Sequence, residues 1–244
     1  LAVRRAQKAG VFVTIATGRG FLGSSEIWKT LRIEGPVINY GGSIINDTRT
    51  GKPLYVTSFK PEEVREVFAI AHELGVHAQL YQGDSIVYEH ENQYAINYRA
   101  FLNLPYRIDP DLMQKNWENV PKIIYITEKE RACELIPVLQ KHFEGRLKVS
   151  GSKAGFVEFN EISAHKGSAL EWVAAYMGVK REEVAAMGDN LLDIEMIQWA
   201  GVGAAVADAN PAVLEIADVV APRCEDMGAA WFLDNIVLKG EGNG

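Results

Sequence analysis

The stretch VFVTIATGR, residues 11–19, sets the class of this protein. Residues 11–17 are β-branched, aromatic or small and carry no charge. That is the composition of a strand covered on both faces, not one alternating between core and water. The run follows a helical segment, LAVRRAQKA at residues 1–9, stopped by Gly10. A helix leading into a doubly covered strand predicts an α/β architecture. The strand ends on Thr17, Gly18 and Arg19. Ligands of open parallel sheets bind beyond the carboxyl ends of the strands. A hydroxyl beside a glycine, whose N–H can approach an anion closely, suits a phosphate there. Taken alone, the same tripeptide also makes a simple turn.

Further along, a short apolar run at residues 36–39 leads into Gly41-Gly42, and SIIND (43–47) with KPLYVT (52–57) reads as a hairpin. From residue 57 the pattern changes. An amphipathic helix at 61–74, stopped by Gly75, precedes the strand pair VHAQLYQ (76–82) and SIVYEH (85–90). KIIYIT (122–127) is a further strand. Thr127 and Glu130 read as a capping box opening a helix that Pro137 must kink or split. RLKVSGS (146–152) and GFVEFN (155–160) form a second hairpin. After residue 160 the β/α alternation resumes, with a helix at 166–177, the strand VAAMGDN (184–190), a helix at 191–199, the small-residue strand AGVGAAV (200–206) and a short helix at 211–217. The expected architecture is a parallel α/β core built from residues 1–56 and 161–244, interrupted by an α+β cap at 57–160.

Composition narrows the function. The chain has 244 residues, 48% hydrophobic and 23% charged, enough to bury a sizeable core. Its net charge of -7 is spread along the chain without a basic stripe, which argues against nucleic acid as a partner. No apolar run approaches the ~20 residues that span a bilayer. Cys133 and Cys224 lie far apart without CxxC spacing, so neither a disulfide framework nor a zinc site is indicated, and a cytoplasmic location is expected. The five histidines show no metal-ligand pairing. Because residue 1 is Leu inside a helical segment, the natural start is expected upstream.

A second strand end carries complementary chemistry. Gly188-Asp189-Asn190 closes the strand VAAM, and Asp193 follows one helical turn on. Carboxylates placed there offer oxygen ligands to a hard cation, although Asn190 also reads as a plain helix N-cap. Lys166 opens a helix near the positive end of its dipole; its alternative is a solvated surface charge. A hydroxyl, an ammonium and carboxylates gathered on one sheet edge suit a phosphate together with Mg2+.

ATGR at 16–19, HKG at 165–167, GDN at 188–190 with Asp193, and the tail GAAVADANPAVLEIADVV (203–220) then EDMGAA (225–230) resemble the later motifs of Cof-like phosphatases of the haloacid dehalogenase superfamily. The resemblance spans the whole chain. It implies a Rossmann-like core, a cap that shields substrate, and Mg2+-assisted hydrolysis of small phosphate monoesters such as sugar phosphates. Carried over residue by residue, Thr17 would bind the transferring phosphoryl oxygens and Lys166 would offset their charge. Gly18 and Arg19 would shape the phosphate loop, Asn190 would add a phosphate contact, Asp189 would ligate Mg2+ and Asp193 would support it from behind.

The chain departs from that pattern twice. The family opens with an apolar strand ending in DxDG[TV], the source of the nucleophile and the general acid/base, and no such strand precedes residue 1. The internal Asp109-Pro110-Asp111 follows no apolar strand. Leu192 also stands where the family usually has a phosphate-binding Asn. The chain as given is therefore expected to lack activity that the upstream strand would restore. The alternatives are a non-catalytic binder of phosphorylated metabolites and a phosphoryl transfer like that of phosphomannomutases. Tyr81, Tyr88, Tyr94 and Tyr98 stand as either substrate-facing cap residues or packing residues. Oligomeric state is not legible.

Overall fold

Helix α1 (Ala2–Lys8) buries Ala2 and Ala6 and stops ahead of Gly10, in a computed structural model that describes residues 1–102, 104–151 and 153–239. The chain divides into two units, one of Leu1–Gly18, Ser25–Leu54 and the segment from His165 onward, the other of Arg19–Ser24 and Tyr55–Ala164. In the first unit α2 (Ser25–Leu31) leads to β1 (Pro36–Asn39), which pairs antiparallel with β2 (Ile44–Asp47); β3 (Pro53–Val56) follows β2 in the same sheet, and the division between the units falls within it, after Leu54. The Asp47 carboxylate and Arg49, 2.9 Å apart, hold the turn between β2 and β3.

Residues 11–17 depart from expectation. Instead of a strand ladder they make one parallel bridge, Ala16 to Ile38, with Ile38 N–H donating to Ile15 O (3.0 Å) and Thr17 N–H donating to Ile38 O (2.9 Å). The reason lies on their other side. Val11, Phe12, Val13 and Thr14 border a cavity of about 480 Å³ that also takes in Ala185, Met187, Leu170, Val173 and Phe232. A segment paired on one side and facing open apolar space on the other cannot form an interior ladder.

The second unit is built on helix α3 (Pro61–Leu74), strands β4 (His77–Gln82) and β5 (Ser85–Tyr88), helix α4 (Gln93–Leu102), strands β6 (Tyr106–Ile108) and β7 (Ile123–Ile126), helix α5 (Lys129–His142), and strands β8 (Leu147–Gly151) and β9 (Phe156–Glu161). The strands form one sheet ordered β6-β5-β4-β7-β9-β8. Register places Leu80, Val87, Ile123, Phe159 and Val149 in one row across five strands. This face is buried against Val64, Val67, Phe68 and Ala71 of α3 and Leu135 and Leu139 of α5, so the alternation of each strand delivers one apolar side to a single core. Helix α4, which sequence periodicity did not announce, buries Ala95 and Tyr98.

Two local expectations in this unit need correction. Thr127 does not cap α5; the N-cap is Glu128, without a side-chain cap, because the Thr127 N–H is still bonded to Gly155 O (2.9 Å) at the end of the sheet. Pro137 does not split α5 either. It sits on the exposed face while Leu135 and Leu139 are buried, so the missing hydrogen bond and the carbonyl it frees face water.

Glu66 of α3 accepts from Arg146 (2.7 Å) and His142 (2.9 Å), tying α3 to the end of α5. The Arg146 hydrogen bond pulls the Glu66 carboxyl down to about 2 from its usual 4.5. A depressed carboxylate stabilises the fold above its unfolded pKa, and the contribution disappears as pH falls through the folded value. Glu66→Gln is therefore expected to lower the urea midpoint at neutral pH, with the gap to the parent closing between pH 4.5 and about 2. A gap that stayed constant over that window would refute the assignment.

Returning to the first unit, α6 (Lys166–Met177), β10 (Ala185–Gly188), α7 (Ile194–Trp199), β11 (Val202–Val206), α8 (Pro211–Leu214), β12 (Val219–Ala221) and α9 (Gly228–Phe232) complete the described chain's regular elements apart from short 3-10 and π turns. β10, β11 and β12 form a parallel sheet in that order, leaving β10 at its edge beside the cavity. The helix expected from residue 191 begins as a single 3-10 turn, Leu191–Asp193, before α7. The short helix ends at Leu214, not at residue 217.

Candidate functional site

The carboxyl end of β10 holds most of the anticipated residues. His165 caps α6, its Nδ1 accepting from Ser168 N–H (3.1 Å), which makes Lys166 the first helical residue. Lys166 is no solvated charge. It is 9% exposed, and its Nζ lies 2.5 Å from Oδ1 of Asp193, itself 3% exposed. Asp193 Oδ2 accepts from the N–H groups of Asp189 (3.1 Å) and Asn190 (3.0 Å). One carboxylate thus folds the GDN loop and anchors the ammonium, and each of its oxygens is engaged. Gly188 is needed for this: a Cβ at that position would overlap the Asp193 carboxylate. Asn210 N–H donates to Asp189 O (2.9 Å), joining the segment after β11 to the same edge, a link with no sequence signal of its own.

Asn190 takes the N-cap role, its Oδ1 accepting from Leu192 N–H (3.3 Å) and its N–H answering Asp193 in a reciprocal box. Only its Nδ2 is left to meet a phosphate. The Leu192 side chain is exposed and apolar. Asp189 is exposed, and its carboxylate has no hydrogen-bond partner among the described residues. No group of three or more His, Cys, Asp or Glu side chains is gathered among the described residues to cage a metal. The donor set still fits Mg2+, which takes one or two carboxylates and completes its shell with water and phosphate oxygens: Asp189 offers one ligand, while Asp193 is too occupied to be another.

Thr17 and Gly18 close the first unit's opening segment, and the Thr17 carbonyl accepts from Gly41 N–H (3.0 Å). Arg19 belongs to the second unit. Asp109, of the internal Asp-Pro-Asp, is buried in that unit and paired with Lys115 at 2.6 Å, a structural ion pair. Among the tyrosines, Tyr81, Tyr88 and Tyr98 are buried; the hydroxyls of Tyr81 and Tyr98 bond each other, and Tyr88 accepts from Arg99 (3.0 Å). Burial pushes the Tyr98 hydroxyl up to about 12. Tyr94 bonds Glu128 (2.8 Å). These contacts mark all four as packing or bracing residues of the second unit.

No helix among the described residues is long and apolar enough to cross a membrane. Residues 1–233 match the haloacid dehalogenase-like hydrolase family. The chain is 28% identical to the pyridoxal phosphate phosphatase YbhA of Escherichia coli (strain K12), over 90% of this chain and 84% of that protein. It is 27% identical to the 5-amino-6-(5-phospho-D-ribitylamino)uracil phosphatase YcsE of Bacillus subtilis (strain 168), over 97% and 86%. Among solved structures, TM0651 from Thermotoga maritima is similar with a TM-score of 0.83 and 28% identity, covering 96% of this chain and 90% of that one.

Proposed function

The chain belongs to the haloacid dehalogenase-like hydrolases, and on that footing we propose that it serves the Mg2+-dependent hydrolysis of small phosphate monoesters, through an aspartyl-phosphate whose carboxylate comes from a segment outside these 244 residues. The observation that carries this is the buried Lys166–Asp193 pair at the strand end that also bears Asp189. An ammonium has three donors, and Asp193 takes one. Lys166 can therefore hold a phosphoryl oxygen while staying fixed. The relatives named for pyridoxal phosphate and for a phosphorylated ribitylaminouracil support a small phosphorylated metabolite as substrate.

In this reading Thr17 and the backbone of Gly18 orient the phosphoryl oxygens, with Arg19 shaping the loop that follows and Asn190 Nδ2 adding a donor. The attacking carboxylate oxygen bonds to phosphorus as the P–O ester bond breaks and the ester oxygen takes a proton from the second Asp of the expected Asp-x-Asp; water, giving a proton to that Asp, then attacks phosphorus, releasing phosphate and restoring the carboxylate. Lys166 matches the charge that builds on the phosphoryl oxygens. A Mg2+ ion held through Asp189 would supply further charge neutralisation. The cavity between residues 11–14 and β10 supports the location of the missing carboxylate, since it has the edges and the apolar walls that an extended segment would fill. The free, exposed Cys133 and Cys224 fit a reducing cytoplasm.

The test is release of inorganic phosphate from a panel of phosphorylated metabolites, with Mg2+ and the protein extended N-terminally by the expected strand. Sugar phosphates and cofactor phosphates should be hydrolysed and phosphodiesters should not. Silence across every monoester would refute the reading.

A further inference from the structure

The two halves of the proposed site, Thr17 on one side and the Lys166–Asp193–Asp189 group on the other, are joined by the connection between β1 and β2. Asn39 pairs with Ile44 in the hairpin register, so residues 40–43 form the whole turn. Three of them in succession have positive φ: Tyr40 at 49°, Gly41 at 68° and Gly42 at 112°. A left-handed conformation is unfavourable for a residue with a side chain, and Tyr40 holds it while only 4% exposed. Strain kept in a buried turn needs surroundings that enforce it.

Those surroundings are the site. Gly41 N–H donates to the Thr17 carbonyl (3.0 Å), while Thr17 N–H donates to Ile38 O (2.9 Å) at the end of β1. Gly42 lies so close to the His165 carbonyl that any Cβ would overlap it, and the Lys166 amide nitrogen is also within 3.0 Å of that point. The same His165 carbonyl accepts the first hydrogen bond of α6, from Ala169 N–H (3.1 Å). The root of the turn is braced in turn, as Asn46 Nδ2 donates to Asn39 Oδ1 (3.0 Å) in the interior.

We infer that the Tyr40-Gly41-Gly42 turn is a positioning clamp that sets the separation of Thr17 from Lys166, with Gly42 as its contact on α6. This rests on the proposed phosphate site and names a positioning residue within it. Gly42→Ala must push the turn off His165, and a displacement of about 1 Å is enough to weaken phosphate recognition severely. Gly10→Ala is the control: its φ of 91° is also positive and an added Cβ there meets nothing within 4 Å, so it reports strain away from the turn.

The experiment uses the 244-residue protein with inorganic phosphate as probe, followed by amide NMR and titration. In Gly42→Ala the Thr17 and Lys166 amide resonances should both move, and the phosphate dissociation constant should rise about tenfold or more. In Gly10→Ala both should stay near the parent despite reduced stability. If Gly42→Ala does not fold, hydrogen exchange on the unaltered protein decides: phosphate must slow exchange at residues 40–43, because coupling between clamp and site is reciprocal. Unmoved Thr17 and Lys166 resonances, an equal loss in Gly10→Ala, or unchanged exchange would overturn the clamp. A parent that binds no phosphate, while Gly42→Ala still shifts both resonances, would instead overturn the phosphate site and leave the clamp standing.

Discussion

Adding an apolar strand that ends in Asp-x-Asp to the N terminus should raise Mg2+-dependent hydrolysis of an aryl phosphate by about four orders of magnitude or more over the 244-residue chain. Thr17, Lys166 and Asp189 can bind and polarise an ester, but none is an adequate nucleophile where it stands. Thr17 offers only a hydroxyl, a weak nucleophile at its ordinary pKa, Lys166 is paired with Asp193, and Asp189 is assigned to the metal. Without an attacking carboxylate the ester stays intact. The fold gives a second reason. Residues 11–14 and the edge strand β10 both border a cavity of about 480 Å³, and helix side chains such as Leu170 and Phe232 line it as well. A parallel strand laid there would gain two ladders and bury its side chains on both faces. The extended protein should therefore also melt higher, and the shorter one should associate through its unpaired edges. Asp189→Ala in the extended protein is the control: turnover there equal to the parent's would remove Asp189 from the metal site. Robust turnover by the 244-residue chain would show that the nucleophile lies within it.

Lys166→Met is expected to cost about 3 kcal/mol of stability, because it leaves the Asp193 carboxylate buried without its cation. For a chain of this size that corresponds to a midpoint roughly 10 °C lower. Adding Asp193→Asn should restore much of the loss, since the amide oxygen can still accept from Asp189 and Asn190 N–H while the buried charge is gone. Phosphate affinity should not recover in the double variant. Recovery of both would make Lys166 a structural residue only, and a single variant as stable as the parent would mean that the pair is solvated in solution.

Much of this was written in local sequence. The strands of the second unit other than β6 followed from alternation and from β-branched runs, and α3 and α6 from their periodicity and glycine stops, because such patterns depend on neighbours a few residues away. The His165–Ser168 and Asn190–Asp193 boxes are likewise local: each cap satisfies amides of its own turn. Thr17, Lys166 and Asp189 could be singled out because each sits at the end of an apolar run or the start of a helix.

The rest required the tertiary structure. That Lys166 pairs with Asp193, 27 residues away, is settled by the packing of α6 against α7 and the Leu191–Asp193 turn before it, which no spacing rule contains. That Pro137 is tolerated on a wet face and that three left-handed residues tie Thr17 to His165 are likewise consequences of what each backbone group finds opposite it. Residues 11–17 make the contrast plainest. Their composition determined that they should be a strand buried on both faces, but a ladder needs neighbours on two sides, and only the assembled sheet reveals β1 on one side and open apolar space on the other.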